Sequence, residues 1–201
     1  MSIFRKIALV LLPLVLLAAC STPREHRPDE INRLASGIMA LSPAIDPEEA
    51  QRAARIAIEY PRQLRVRYQV EDSPILHNIK VNSGRKPRGL CWHWAEDLQK
   101  RLMRENFQTL TTHRAIANSH TRLLIDHSTV IVSAVGDRFD EGMVLDGWRY
   151  GGTLYWAPTL KDAKYTWVSR EVVFARKRAK RLGETYSLPS DPSTEPVPEG
   201  F

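Results

Sequence analysis

The chain has 201 residues, with 29 Lys and Arg against 23 Asp and Glu, and its formal charge of +6 makes it modestly basic. An apolar share of 43%, with 5 Trp, 6 Tyr and 5 Phe, can fill one sizeable core and excludes a wholly disordered chain. Thirteen Pro and ten Gly exclude a coiled coil, two Cys exclude a disulfide scaffold, and no repeat at solenoid spacing is visible, so one domain is expected.

The first twenty residues read as an address. Arg5 and Lys6 precede an uninterrupted apolar run, Ile7 to Ala19, too short for a comfortable membrane span. The run ends in Leu17-Ala18-Ala19-Cys20. This pattern resembles a bacterial lipobox. The resemblance implies a signal peptide over 1–19, cleavage before Cys20, and a mature N-terminus with a thioether-linked lipid and an added acyl chain of the palmitate type. Several chains exceed the two signals that stable anchoring needs. Ser21 after the Cys, by resemblance to lipoprotein sorting signals, favours the outer membrane with the protein facing the periplasm. The membrane is then a partner through Cys20.

Beyond Cys20 a tether and a short helix are expected over 20–44, the helix carrying Ile31, Leu34, Ile38 and Leu41 at helical spacing. The main domain is expected over 45–182 and a flexible Pro- and acid-rich tail over 183–201. Asp46-Pro47-Glu48-Glu49 combines an N-cap, a proline at the first helical position and a capping-box acid. The helix it starts should bury Ala50, Ala53, Ala54 and Ala57 and stop near Tyr60, where Pro61 interrupts it. Residues 63–70 fit a strand or a helix. Asn82 to Gly89 reads as a basic loop, and Cys91 to Asn106 as a helix with Cys91, Trp94, Ala95, Leu98 and Leu102 on one stripe. Strands are expected at Leu110–Ala117, Ser128–Val135, Gly142–Trp148, Leu154–Trp156 and Tyr165–Val173. Helices first and strands later specify an α+β class, N-terminal helices packed on an antiparallel sheet.

With Cys20 lipidated, Cys91 is the lone free thiol of a chain in an oxidising compartment. It opens its helix, where unpaired amides and the dipole favour a thiolate and an oxyanion. His127 opens an apolar strand, and Asp146 stands in the next one, where an acid without a partner is costly. Antiparallel neighbours would bring them together as base and orienting group.

Three segments carry a family resemblance: Gly89-Leu90-Cys91-Trp92-His93-Trp94-Ala95, Asp126-His127-Ser128-Thr129-Val130-Ile131-Val132 and Val144-Leu145-Asp146-Gly147-Trp148. Cys at a helix start, then His and Asp on successive strands, is similar to the transglutaminase-like branch of the papain-like cysteine hydrolases. That resemblance implies a papain-like core with Cys91 as nucleophile, His127 as base and then acid, and Asp146 as the group that fixes the imidazole tautomer. It also implies attack on an amide or ester, with an acyl-enzyme resolved by water or an amine. Where the family commonly supplies a Gln for the oxyanion, Arg85 stands in this chain, and Asn82 is the substitute candidate.

Other motifs are weaker. His93 leaves its helix about 200° around from Cys91, which suits neither a base nor a zinc pair, and no metal or other cofactor motif appears. His77, His113 and His120 read as surface or structural residues, and the five Trp read mainly as core. The basic run Arg176–Arg181 fits a solvated helix face or attraction to anionic headgroups better than nucleic acid. Two function classes follow. One is a lipid-anchored cysteine hydrolase or transpeptidase acting on peptide or protein substrates in the cell envelope. The other is a non-catalytic lipid-anchored binding or scaffolding protein of the same fold. Cys20→Ala should leave the precursor uncleaved and abolish fatty-acid labelling, and persistent labelling of that variant would refute the lipidation.

Overall fold

The computed structural model describes residues 28–121 and 123–186, so the segment around Cys20 and most of the tail lie outside the described residues. The chain divides after Glu30, and the packing below concerns the described residues from Ile31 onward. Among the described residues no helix is long and apolar enough to cross a membrane. The architecture is α+β: α1 (Pro28–Met39), α2 (Pro47–Arg67), α3 (Pro74–Asn82) and α4 (Cys91–Met103) precede β1 (Leu110–Ala117), β2 (His127–Ala134), β3 (Met143–Tyr150), β4 (Thr153–Pro158) and β5 (Val168–Ser169), and α5 (Arg170–Leu182) follows. The five strands form one antiparallel sheet in the order β4-β3-β2-β1-β5.

The start of α2 follows its sequence signals: Asp46 Oδ1 accepts from Glu49 N at 2.9 Å, and Ala50, Ala53, Ala54 and Ala57 are buried. Its expected stop at Pro61 does not occur. A proline inside a helix removes one hydrogen bond and costs about 3 kcal/mol, but the stripe beyond it is buried at Leu64 and continues to Tyr68, whose hydroxyl bonds to Asp97 of α4. Pro61 itself packs so closely on Gly147 that a Cβ there would stand 2.9 Å from the Pro61 Cβ. Tertiary burial therefore carries the helix through, and residues 63–67 are helical. The helix α3 was not anticipated. Ser73 caps it, accepting from Leu76 N at 3.4 Å, and Pro74 occupies its first turn, so the expected loop at 82–89 begins only as this helix ends.

Strand β1 has the expected bounds, and β2 and β3 are shifted by a residue or two from theirs. All of β2 is buried because both faces of the sheet are covered. Val130 and Val132 join Leu34, Ile38, Ala53, Leu98 and Leu102 in the larger core, while Ile131 meets Ala115, Ala117, Val144 and Trp167 on the other face. The expected strand at 165–173 is mostly absent: only Val168–Ser169 pair with β1. Ser169 Oγ accepts from Val172 N at 3.3 Å and starts α5, which carries the basic run.

Glu49 ties the helical layer to the sheet. Its oxygens accept from Gln108 N (2.7 Å), Thr109 N (2.8 Å) and Thr109 Oγ1 (2.6 Å) at the entry to β1. Burial pushes this carboxyl up, but the Thr109 hydroxyl, the two amides and Arg52 together hold it below its usual 4.5. Glu49→Ala should lower the unfolding free energy by about 2–4 kcal/mol in urea titrations. Because the folded carboxyl is depressed, its contribution is full above pH 4.5 and is lost as pH falls, so the gap between wild type and variant should narrow in acid.

Candidate active site

The turn before α4 is built from both sides. A histidine nitrogen of His77 bonds the Arg88 carbonyl at 2.9 Å, and Trp94 Nε1 donates to the Gly89 carbonyl at 2.9 Å. Gly89 has φ +126°, and a Cβ on it would lie 2.3 Å from His77 Nε2, so both backbone and packing require glycine. Leu90 has no capping oxygen. Instead His93 Nδ1 accepts from the amides of Gly89 and Leu90, each at 3.1 Å. Burial, reinforced by the charge of Arg88, lowers the pKa of His93 and keeps that nitrogen free to accept. His93 and His77 are thus the two supports of the turn that presents Cys91.

Cys91 is the first residue of α4 and is 6% exposed. Its sulfur donates to the Asp126 carbonyl at 3.4 Å, at the threshold of β2. His127, the first residue of β2, is 2% exposed, and its Nε2 bonds Asp146 Oδ2 at 2.6 Å across to β3. The ring's Nδ1 is buried without a hydrogen bond of its own. Burial pulls the His127 pKa down, but the charge and hydrogen bond of Asp146, joined by Cys91, outweigh it and raise the value to about 9.

Asp146 is fully committed. Oδ1 accepts from the amides of Trp148 and Arg149, both at 3.1 Å, and Oδ2 accepts from Arg149 Nε at 3.0 Å as well as from His127. Burial would raise its pKa, yet His127 and Arg149 hold it below the usual carboxylate range. Arg149 in turn makes a two-pronged bond to Asp162, at 3.1 and 2.6 Å, and its guanidinium stacks 3.6 Å from the Tyr155 ring centre and 4.8 Å from that of Tyr165. Asp162 also accepts from Trp167 Nε1 at 3.0 Å. Around the imidazole stand Trp148, Tyr165 and Trp167, with ring centres 4.8, 4.6 and 5.4 Å away.

A cleft of about 280 Å³ opens onto this group, with Cys91, His127, Trp148 and Tyr165 at its floor and Ile75, Leu124 and Ile125 on its walls. Of the residues singled out from sequence, Cys91, His127 and Asp146 are brought together. Asn82 is not: it is exposed at the end of α3 and does not line the cleft, because residues 74–82 coil into a helix instead of extending the loop. Asn118 lines the cleft instead, its Nδ2 donating to the Ile125 carbonyl at 3.2 Å. Arg149 and Asp162 went unrecognised in the sequence, whereas His77, read there as surface or structural, and His93, read as suited to neither a base nor a zinc pair, serve the backbone of the turn. The cost of burying Asp146 pointed to a partner, but not to an arginine three residues on. Among the described residues no cluster of His, Cys, Asp or Glu is positioned to hold a metal ion.

No protein-family model, no curated protein and no solved structure matches this chain.

The raised His127 pKa sets a sign. The stability that rests on the protonated imidazole is full below its usual 6.5 and is lost as pH rises through about 9. In an NMR titration of the imidazole nitrogens His127 should titrate near 9, and Asp146→Asn should lower that midpoint by at least about one unit, roughly 1.4 kcal/mol of lost interaction. An unmoved midpoint would show that Asp146 does not control the ring.

Proposed function

We propose that this protein is a lipid-anchored cysteine hydrolase or transpeptidase of the cell envelope, built on a papain-like, transglutaminase-like core and acting on peptide or amide bonds. The observation that carries this reading is the buried 2.6 Å bond between His127 Nε2 and Asp146, with the lone described thiol, Cys91, lining the same cleft as His127. Nucleophile, base and orienting acid arrive from a helix start and two neighbouring strands, in the order the family resemblance implies. The lipobox supports anchoring through Cys20, and the basic helix α5 suits an anionic membrane surface.

In this mechanism the thiolate of Cys91, its proton carried on His127 Nδ1 in keeping with the raised pKa of the ring, attacks the substrate carbonyl. A C–S bond forms as the carbonyl π pair moves to oxygen, where first-turn amides of α4 stabilise the oxyanion. Collapse breaks the C–N bond, and the imidazolium gives its proton to the leaving amine. Water, or an acceptor amine, then attacks the thioester and gives a proton to His127. The C–S bond breaks, its electron pair stays on sulfur, and the imidazolium–thiolate pair is restored. Asp146 stays ionised throughout, holding Nε2–H so that Nδ1 faces the reaction. The aromatic rings around His127 keep bulk water from competing for it.

Alkylation of Cys91 by iodoacetamide tests this reading. It should persist at about pH 6, where an ordinary thiol reacts slowly. His127→Ala should slow it by about tenfold or more, and Asp146→Asn should slow it less, through lost orientation of the ring. Equal labelling of all three proteins with an ordinary thiol profile would refute the triad and leave the lipid-anchored binding or scaffolding protein as the function.

A further inference from the structure

Helix α3 is turned inside out. Its polar residues His77 and Asn78 are buried, while Ile75, Leu76 and Ile79 are 49, 44 and 53% exposed. Those three span about 100° of the helix surface, an apolar stripe that faces water. The inversion has a cause. His77 bonds the Arg88 carbonyl in the turn before Cys91, and Asn78 Oδ1 accepts from Trp148 Nε1 at 3.1 Å. Trp148 lies on the floor of the cleft that holds Cys91. The polar side of α3 is therefore fastened to the site, and its apolar side is left outward, with Ile75 in the cleft wall. The connection between β1 and β2 adds to the same cleft. Leu123, Leu124 and Ile125 all line it, and they are 93, 55 and 59% exposed. Asn118, with a left-handed φ of 65°, holds this connection by donating from Nδ2 to the Ile125 carbonyl at 3.2 Å.

Burial of such side chains is the main force that stabilises a fold, and a group of them left in water around one cleft marks a binding surface. The charged side chains of the lining are already paired, Asp126 with Lys177 and His127 with Asp146. The cleft's volume of about 280 Å³ lies just below the roughly 300–1,000 Å³ of pockets that enclose a whole small ligand. It takes one part of a longer molecule, and the part that must enter is the one whose carbonyl Cys91 attacks. We propose that the cleft is a subsite for an aliphatic amino-acid side chain, so that the substrate is a peptide with a hydrophobic residue on the carbonyl side of the scissile bond. This rests on the hydrolase reading above and names its substrate class. Ile75, Leu124 and Ile125 bury that side chain over Trp148 and Tyr165. A polar side chain is disfavoured there, because it loses water and meets no unpaired charge in the lining.

Acylation of Cys91 by p-nitrophenyl esters of N-acetyl amino acids tests the subsite on the full chain. The thiolate forms a C–S bond as the C–O bond breaks, the electron pair leaves with p-nitrophenolate, and the proton stays on His127. The p-nitrophenolate burst reads the rate, and division by the rate with N-acetylcysteine removes the reactivity of the ester itself. In the wild-type protein the leucyl ester should acylate at least about tenfold faster than the alanyl ester, since each fully buried methylene is worth about fourfold. The methionyl ester should likewise outrun its sulfoxide, which has the same length but a polar oxygen. Ile75→Ser and Leu124→Ser, at exposed positions that the fold does not depend on, should each lower the leucyl-to-alanyl ratio by about threefold. Val66→Ser, at an exposed position outside the cleft, should leave it unchanged. A wild-type ratio near one, equal rates for the methionyl ester and its sulfoxide, or a ratio that survives in the Ile75→Ser, Leu124→Ser double variant would overturn the subsite. If the burst still requires His127 in that case, the hydrolase reading stands without it. A burst independent of His127 would remove the hydrolase reading and this inference with it.

Discussion

The carboxylate of Asp146 is buried against one face of the sheet, and four donors converge on it: the imidazole of His127, the guanidinium of Arg149 and two main-chain amides. An ionised carboxylate without partners would be expelled from such a site or would take up a proton. Here the partners are a strand neighbour and the residues immediately following in the chain. Charge continues outward through Arg149 to Asp162, so the buried set alternates acid, base, acid and imidazole, and each charge has an opposite beside it. Breaking any one link would leave another charge unpaired in the interior, which is why such sets act as a unit.

This arrangement makes the site rigid where chemistry needs rigidity. His127 is clamped from Nε2 by Asp146 and held on its faces by aromatic rings, leaving Nδ1 as the one nitrogen available for proton transfer. Cys91 is fixed by a different device. Its turn carries a glycine with a left-handed φ, pressed against His77 and capped by His93. Helix α4 packs on β2 and β3, so the turn and the strand start meet at one point, where the sulfur touches the Asp126 carbonyl. The Lys177 side chain of α5 pairs with the Asp126 carboxylate, so the last helix also holds that junction.

Three histidines near the turn and the sheet take different roles for local reasons. His77 and His93 are buried among main-chain groups that need partners, and they serve the backbone. His127 is buried beside a carboxylate, which raises its pKa, and that is the environment of a proton carrier. Residue type alone does not separate these roles. The sign of the nearest charge does: Arg88 lies beside His93, and Asp146 beside His127.

Much of this was readable in the chain. The cap at Asp46, the alanine face after it, the start of α4 at Cys91 and the bounds of β1 all follow from local patterns, because caps and periodicity act over a few residues. The adjacency of β2 and β3 was also legible, since consecutive strands joined by a short connection pair with each other. What the sequence left undecided turned on burial between distant segments. Pro61 sits in a continuous helix because Gly147 and Asp97 reward its far end. Ser169 starts a helix where apolar residues suggested a strand, its hydroxyl capping Val172. Asn82 is turned to solvent at the end of a helix, Pro74–Asn82, that local reading did not anticipate. Arg149 found Asp162 across 13 residues, a pairing no short pattern encodes. Local propensity chose the elements, while the need to pair every buried charge, which only the packed fold can satisfy, decided which residues make the site.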